Sequence, residues 1–341
     1  MKKPTSLLRK ATKHPIAIGF IVLCMALPLI ITRGYLLRVF IEVFFFAAMG
    51  TAWNILGGFG RQTSWASPAF FCIGAYTAML LNTNFGTSPW VSIFIGVAIA
   101  IVLAIAIGAP TLKLRGVFFS IATISCTSII RQLIFNFASL TGGAQGVSLK
   151  MSSGNNFWQL RFDSEVPFYY IAFIWMLIIV LITAIISKTK LGYYLRAIRE
   201  DEDAAQSLGV RTHRMKLIAF IISAVLLSVT GAFYSFKIGY IDPNSVASHD
   251  LAIRIAVTAI LGGMGTIWGP VLGAFICVPM LEVSNYYLSN FGGGGAGFAM
   301  YGLAMVLVVL FRPNGVISLF EGLQKRFESR KANKQTGGEA K

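Results

Sequence analysis

Long apolar stretches alternate with short polar connections along most of the chain. Each is close to the roughly 20 residues that a helix needs to cross a hydrocarbon core ~30 Å thick. Candidate spans lie at 16–32, 36–56, 66–82, 89–109, 116–136, 167–187, 215–236, 250–263, 268–287 and 298–311. Three of them are short. Short spans must tilt, sit within protein, or break inside the membrane where neighbours shield the backbone. Gly57–Gly58–Phe59–Gly60 and Gly262–Gly263–Met264–Gly265 stand at such junctions. The pattern predicts an all-α polytopic membrane protein of about ten transmembrane segments (eight to ten), some short or discontinuous. The basic start MKKPTSLLRKATKHP followed by an apolar run resembles a secretion signal. However, Thr32–Arg33–Gly34 offers no small-x-small cleavage site and a second apolar run follows at once, so the first run reads as a retained span.

Composition narrows the class further. Hydrophobic residues make up 56% of the chain and charged ones 12%, against about 25% charged in soluble domains. A soluble domain, a disordered chain and a disulfide scaffold are all disfavoured. Cys24, Cys72, Cys126 and Cys277 lie in apolar segments and form no CxxC pair, which suits small buried residues and suggests no metal site.

The net charge of +16 would hint at nucleic acid in a soluble protein. Its placement gives a different account. With ten spans, both termini share one side, and that side receives 22 of the 29 basic residues. Arg33, Arg38, Arg131, Lys150, Arg161, Lys237 and Arg254 fall on the other side or at span ends. The positive-inside rule then makes both termini cytoplasmic. The chain divides into a basic segment 1–15, a membrane domain 16–311 with a cytoplasmic loop 188–214, and a basic tail 312–341. The tail suits anionic lipid headgroups, so no nucleic-acid partner is expected. Glu42, Arg131, Arg254 and Glu282 fall in or near spans. A charge at mid-bilayer costs at least ~2.5–3.5 kcal/mol, so these groups line a polar route, pair within protein, or snorkel to an interface.

The loop SKTKLGYYLRAIREDEDAAQSLGVRTHRMKLIAF, residues 187–220, is the one internal cytoplasmic connection long enough to fold. The acids Glu200–Asp203 before Ala204–Ala205 suit a helix N-terminus, and Gly209 suits a stop after Leu208. The expected order is helix, bend, short helix, stop. Tyr193, Tyr194, Ala197, Ala204, Ala205 and Leu208 form a partly apolar stripe that could dock in a groove of a soluble partner. An ordinary solvated loop is the bland alternative.

The run GYYLRAIREDEDAAQSLGV resembles the coupling loop of permease subunits from branched-chain amino acid ABC importers, most closely the LivM type. FFCIGAYTAML (70–80), GAPTLKLRGVFFSIATI (108–124), SLTGGAQGVSL (139–149), TAILGGMGTIWGPVLGA (258–274) and FRPNGVI (311–317) extend the resemblance over about residues 45–320. The resemblance implies that Gly192, Arg196, Ala197, Arg199, Glu200, Ala204, Ala205, Leu208 and Gly209 seat on an ATP-binding subunit. It also implies a second homologous permease subunit, two ATP-binding subunits carrying ATP and Mg, and a periplasmic solute-binding protein. One segment departs from the family. A Gly-Gln-x-Ser-Leu-Gly-His-Ala-like stretch is replaced by Gly60–Arg61–Gln62–Thr63–Ser64–Trp65–Ala66–Ser67–Pro68–Ala69–Phe70, which unsettles transfer of solute specificity. Relatives of this type also serve urea and other small amides.

A polar solute needs a path lined with hydrogen-bonding groups, which discontinuous helices supply. Candidates for that path or its gate are Thr141, Gly142, Gly143, Gln145 and Gly146 on the outer side, Gly262, Gly263 and Gly265 in a helix break, and Glu282. The outer glycines equally suit a plain periplasmic turn, and the break equally suits tight packing. Lys113–Leu114–Arg115–Gly116 is a basic turn that anchors a helix end or meets the same partner. No GxxxxGK[ST] phosphate loop occurs, so ATP hydrolysis is expected on another chain, with no cofactor and no catalytic residue here. Two other classes compete. An ion-coupled secondary transporter needs membrane-embedded acids, and only Glu42 and Glu282 qualify. A membrane enzyme needs a catalytic cluster, and none is spaced for it. Ala205→Asp is expected to stop transport by placing a charge in the partner's groove.

Overall fold

The computed structural model describes residues 15–30, 34–149 and 155–292, with isolated positions 302, 303, 306, 310, 315 and 316. The N-terminal basic segment, Lys150, and nearly all of the expected span 298–311 and tail 312–341 lie outside the described residues.

The described chain is helical apart from one two-stranded pairing. Its helices are α1 (Pro15–Ile30), α2 (Gly34–Gly57), α3 (Ser67–Phe85), α4 (Pro89–Thr111), α5 (Val117–Asn136), α6 (Ala138–Thr141), α7 (Glu165–Ile186), α8 (Lys190–Glu200), α9 (Glu202–Ser207), α10 (Thr212–Ile238), α11 (Pro243–Val246), α12 (His249–Gly263) and α13 (Gly269–Gly292). Six segments are both long and apolar enough to cross a membrane: α2, α4, α5, α7, α10 and the run Pro243–Gly263 that joins α11 to α12. This is fewer than the expected eight to ten. Helix α3 carries Asn82, Thr83 and Asn84 at its end, and α1 and α13 contribute only shorter apolar stretches.

At the centre stand α2, α3 and α10. Every residue of α2 from Val43 to Gly57 is buried, as expected of a helix apolar on all sides. Where α3 and α10 cross, Gly74 lies against the Ser228 carbonyl and Gly231 against the Phe71 carbonyl, so the two backbones touch. Helix α4 packs on both through Ser92, Gly96, Ala100, Ala104 and Gly108, a stripe of small residues repeating every fourth position. Such stripes let membrane helices approach closely, where no hydrophobic drive separates protein from lipid. The outward faces of α4 and α7, with Phe94, Val102, Ile174 and Leu181, are exposed and apolar.

Two irregular stretches position the candidate sites. The divergent segment 61–66 runs between α2 and α3, and α5 satisfies part of its backbone. The Trp65 amide donates to Thr123 Oγ1 at 3.1 Å, and Thr127 Oγ1 donates to the Trp65 carbonyl at 3.1 Å. At the far end of α10, strands β1 (Val147–Ser148) and β2 (Tyr240–Ile241) pair antiparallel. The chain then forms α11, breaks at Ala247–Ser248, and re-enters as α12, whose first turn is capped by the Ser248 hydroxyl. With 15 residues, α12 rises only about 22 Å, short of a ~30 Å core. The expected short span is therefore the longer part of the run Pro243–Gly263, which breaks at Ala247–Ser248.

Candidate functional site

The loop after α7 folds as its sequence predicts. Asp201 caps α9 by accepting from the amides of Asp203 and Ala204, both at 2.9 Å. Gly209 ends the unit at φ +86°. Tyr193, Tyr194, Ala197, Ala204 and Leu208 are exposed, and Leu208 keeps 86% of its surface free. Arg196 and Glu200 are also exposed. Ala205 departs from the expected stripe. It is 3% exposed, buried within this chain where α9 packs on α8 and α10. A charge at Ala205 would therefore disrupt this chain's own packing. Gly192 is also inward, pressed against the Ile186 carbonyl at the end of α7.

Each part of the loop is tied to a different membrane element. Arg196 donates to the carbonyl of Ser187 at the end of α7. Asp203 takes a two-pronged contact from Arg115, at 2.6 and 3.0 Å, which joins α9 to the turn between α4 and α5. That hydrogen-bonded guanidinium holds the Asp203 carboxyl below the usual carboxylate range. Glu202 Oε2 accepts from Lys216 Nζ on α10 at 2.6 Å, and Lys216 is 1% exposed. The basic turn Lys113–Gly116 thus anchors the loop through Arg115.

Arg199 reaches furthest inward. Its Nη1 donates to the Gly58 carbonyl at 3.3 Å and borders Gly265. Gly58 follows α2, and Gly265 lies in the hairpin between α12 and α13. Asn54, fully buried near the end of α2, closes the junction. Its Nδ2 donates to the Thr266 carbonyl at 2.7 Å, and its Oδ1 accepts from the Gly265 amide at 2.8 Å. The two glycine-rich breaks flagged in the sequence therefore meet, with Arg199 of α8 against both. Gly262 and Gly263 lie in the hairpin itself. There Gly262 abuts the Gly269 carbonyl and Gly273 abuts that of Thr258, so α12 and α13 pack backbone to backbone. Asn54 was not flagged by its sequence; an amide beside a Gly-Gly helix end was the available signal. Asn54→Ala strands a Gly265 amide and a Thr266 carbonyl, and is expected to cost about 1–3 kcal/mol in detergent unfolding.

The outer candidates form a compact turn. Gly142, Gly143 and Gly146 hold φ of +73°, +53° and +70°, a left-handed region that glycine occupies without penalty. Thr141 Oγ1 donates to the Ile134 carbonyl at 2.6 Å and accepts from the Gly143 amide at 3.3 Å. The Gln145 carbonyl accepts from Tyr240 at 3.0 Å, and Gly146 abuts the Ile241 carbonyl. The turn thus packs on β2 and the approach to α11, at the end of α10 opposite α8 and α9.

The intramembrane charges converge. Glu42, Arg254 and Glu282 line one narrow crevice with Phe46 and Thr258. Arg254 also borders a larger cavity of about 290 Å³ beside the α11–α12 break, with Asp250, Ser245 and Tyr234. Its Nε lies 3.6 Å from Asp250 Oδ2, and the guanidinium sits 4.9 Å from the Phe46 ring centre. Arg131 stays apart on α5, half-buried. Asp250 and Ser245 were missed in the sequence, where PNSVASHD looks like an ordinary polar connection.

The comparisons agree with this architecture. A family model described as "Branched-chain amino acid transport system / permease component" matches residues 35–312. The high-affinity branched-chain amino acid transport system permease protein LivM of Escherichia coli K12 is 29% identical over 323 residues, covering 89% of this chain and 74% of that protein. The corresponding LivH of Salmonella typhimurium is 27% identical over 289 residues, covering 80% of this chain and 91% of its own. BraD of Pseudomonas aeruginosa is 31% identical over 137 residues, 40% of this chain and 42% of its own. No solved structure matches the chain. No cluster of three or more potential metal ligands occurs among the described residues. With the family model matching 35–312 and a multi-helical membrane fold, this chain belongs to the branched-chain amino acid transport system permease family, as a non-catalytic membrane subunit.

Proposed function

We propose that this chain is a membrane subunit of an ATP-driven importer of branched-chain amino acids, and that α8 and α9 receive work from an ATP-binding subunit. The observation that carries this reading is the two-sided character of the loop. One side exposes Tyr193, Ala197, Ala204 and Leu208. The other grips four membrane elements through Arg196, Arg199, Glu202 and Asp203. A partner seated on the exposed side would move α2, α4, α7 and α10 together. ATP and Mg then belong to that partner, one of two such subunits. A second homologous permease pairs with this one, and a periplasmic binding protein delivers the solute to the face carrying Thr141–Gly146. The loop lies in the cytoplasm, as do both termini, in a bacterial inner membrane. Binding and release of ATP would shift Arg199 against Gly58 and Gly265, where the breaks after α2 and α12 meet, so that this junction acts as the inner gate.

The test is co-purification. Leu208→Asp combined with Tyr193→Asp is expected to weaken retention of the ATP-binding subunit by at least ~30-fold, the equivalent of about 2 kcal/mol for an apolar anchor. Membrane insertion should be unchanged, because both side chains are exposed. Undiminished retention would sink the docking role of the loop.

A further inference from the structure

The larger cavity has no part in the coupling route above. It measures about 290 Å³, at the small end of ligand pockets, which run from about 300 to 1,000 Å³. Its lining combines the apolar Phe46, Met49, Phe71 and Leu251 with the charged Arg254 and Asp250. Such a mixed lining suits a small molecule with a charged end and an apolar end.

Within that lining one buried donor is left unused by the described residues. Arg254 and Asp250 are one helical turn apart, and their 3.6 Å separation exceeds hydrogen-bond length. Arg254 Nε is buried and has no hydrogen-bond partner among the described residues. A guanidinium offers five donors in a planar fork that matches a carboxylate. Phe46 occupies only one face of that plane. Glu42 and Glu282 share the neighbouring crevice with Arg254 and offset its charge, yet among the described residues the buried Nε donor makes no hydrogen bond, and an unmade bond at a buried donor is costly. Asp250, in the same lining and exposed, offers an acceptor of opposite sign.

We propose that this cavity is a station for a zwitterionic solute with an apolar side chain, its carboxylate on Arg254, its ammonium on Asp250 and its side chain against Phe46, Phe71 and Leu251. The assignment rests on reading the chain as a permease for such solutes. It disfavours urea as an equal occupant, because an uncharged amide hydrogen-bonds to both groups without forming an ion pair with either and has no side chain to fill the apolar lining.

The test uses the assembled transporter in nanodiscs with a reporter thiol at the cavity rim, Ser245→Cys. Ser245 is exposed, and the unsubstituted protein, in which Cys126 is half-buried, sets the background. Leucine at about ten times its Kd is expected to slow labelling by a water-soluble maleimide by about tenfold. Urea should leave the rate unchanged. Adding Arg254→Gln should remove the leucine protection without altering the unprotected rate, and Arg254→Lys should restore part of it. Labelling indifferent to leucine would overturn the proposal, and equal protection by urea would overturn the zwitterion assignment. ATP-dependent leucine uptake by the unsubstituted transporter in proteoliposomes is measured alongside. Uptake without protection removes the cavity alone. Protection without ATP-dependent uptake removes the importer reading and leaves the binding site standing.

Discussion

Gly231→Leu is expected to abolish the folded, monodisperse state of the protein in detergent, and Gly74→Leu to do the same, while Gly96→Ala leaves it intact. The cause is the crossing of α3 and α10. A Cβ at Gly231 would collide with the Phe71 carbonyl, and one at Gly74 with the Ser228 carbonyl. Both obstacles are backbone, so no rotamer change makes room. Relief requires the two central helices to separate, which opens voids beside Phe70, Phe71, Phe220 and Leu227, all buried. Ordinary overpacking costs about 1–3 kcal/mol. Backbone collision along two central helices should exceed about 4 kcal/mol, a large share of a typical 5–15 kcal/mol stability. Gly96 provides the control. A Cβ there would meet nothing closer than Ser228 Oγ at 3.5 Å, an ordinary contact. Size-exclusion profiles and thermal unfolding of the three variants check the argument. A monodisperse Gly231→Leu protein with native unfolding would show that the crossing is not tight.

Much of this was legible from hydrophobic pattern, because helix existence in a membrane is a matter of local composition. The apolar stretches drawn from sequence coincide with the helices α1 to α5, α7, α10, α12 and α13 to within about five residues, although only six described segments are long and apolar enough to cross a membrane. The loop 188–214 was legible for the same reason: Asp201 and Gly209 set helix limits through their own backbone neighbours. Relations between distant segments were not legible. Lys216 counted among the basic residues that set topology, yet it is buried against Glu202. Ala205 shared a helical stripe with Leu208, but the bend at Asp201 turns it into this chain's own packing. Glu42, Arg254 and Glu282 were visible as intramembrane charges, with interface, pairing and path readings left open. Only the packing of α2, α12 and α13 brings them onto one crevice. The departure at Gly60–Phe70 looked like a change in specificity. In the fold, part of it braces α5 through Trp65.

Glu202→Gln is expected to destabilise the protein by about 3–5 kcal/mol, the usual cost of stranding one member of a buried ion pair. Lys216 Nζ would then face an amide instead of a carboxylate, at a side chain only 1% exposed. The pair's net contribution is a separate matter from the cost of breaking it. Removing both charges, with Lys216→Met and Glu202→Leu together, should return stability close to native or above it, since apolar replacements avoid the desolvation cost. Transport should respond differently. Glu202 is the charged link from α9 to α10, beside the apolar packing of Ala205, and α10 packs against α2, α3 and α4. With that link gone, α9 keeps Arg115 on Asp203, an exposed contact that water screens. Work delivered at Leu208 would then reach α10 poorly. The double variant is therefore expected to unfold like the native protein while its ATP-driven uptake stays low. Stability that fails to recover in the double variant would assign the single variant's loss to something other than the stranded lysine. Full uptake in the double variant would show that transmission bypasses this pair and runs through Arg199 to the junction at Gly58 and Gly265.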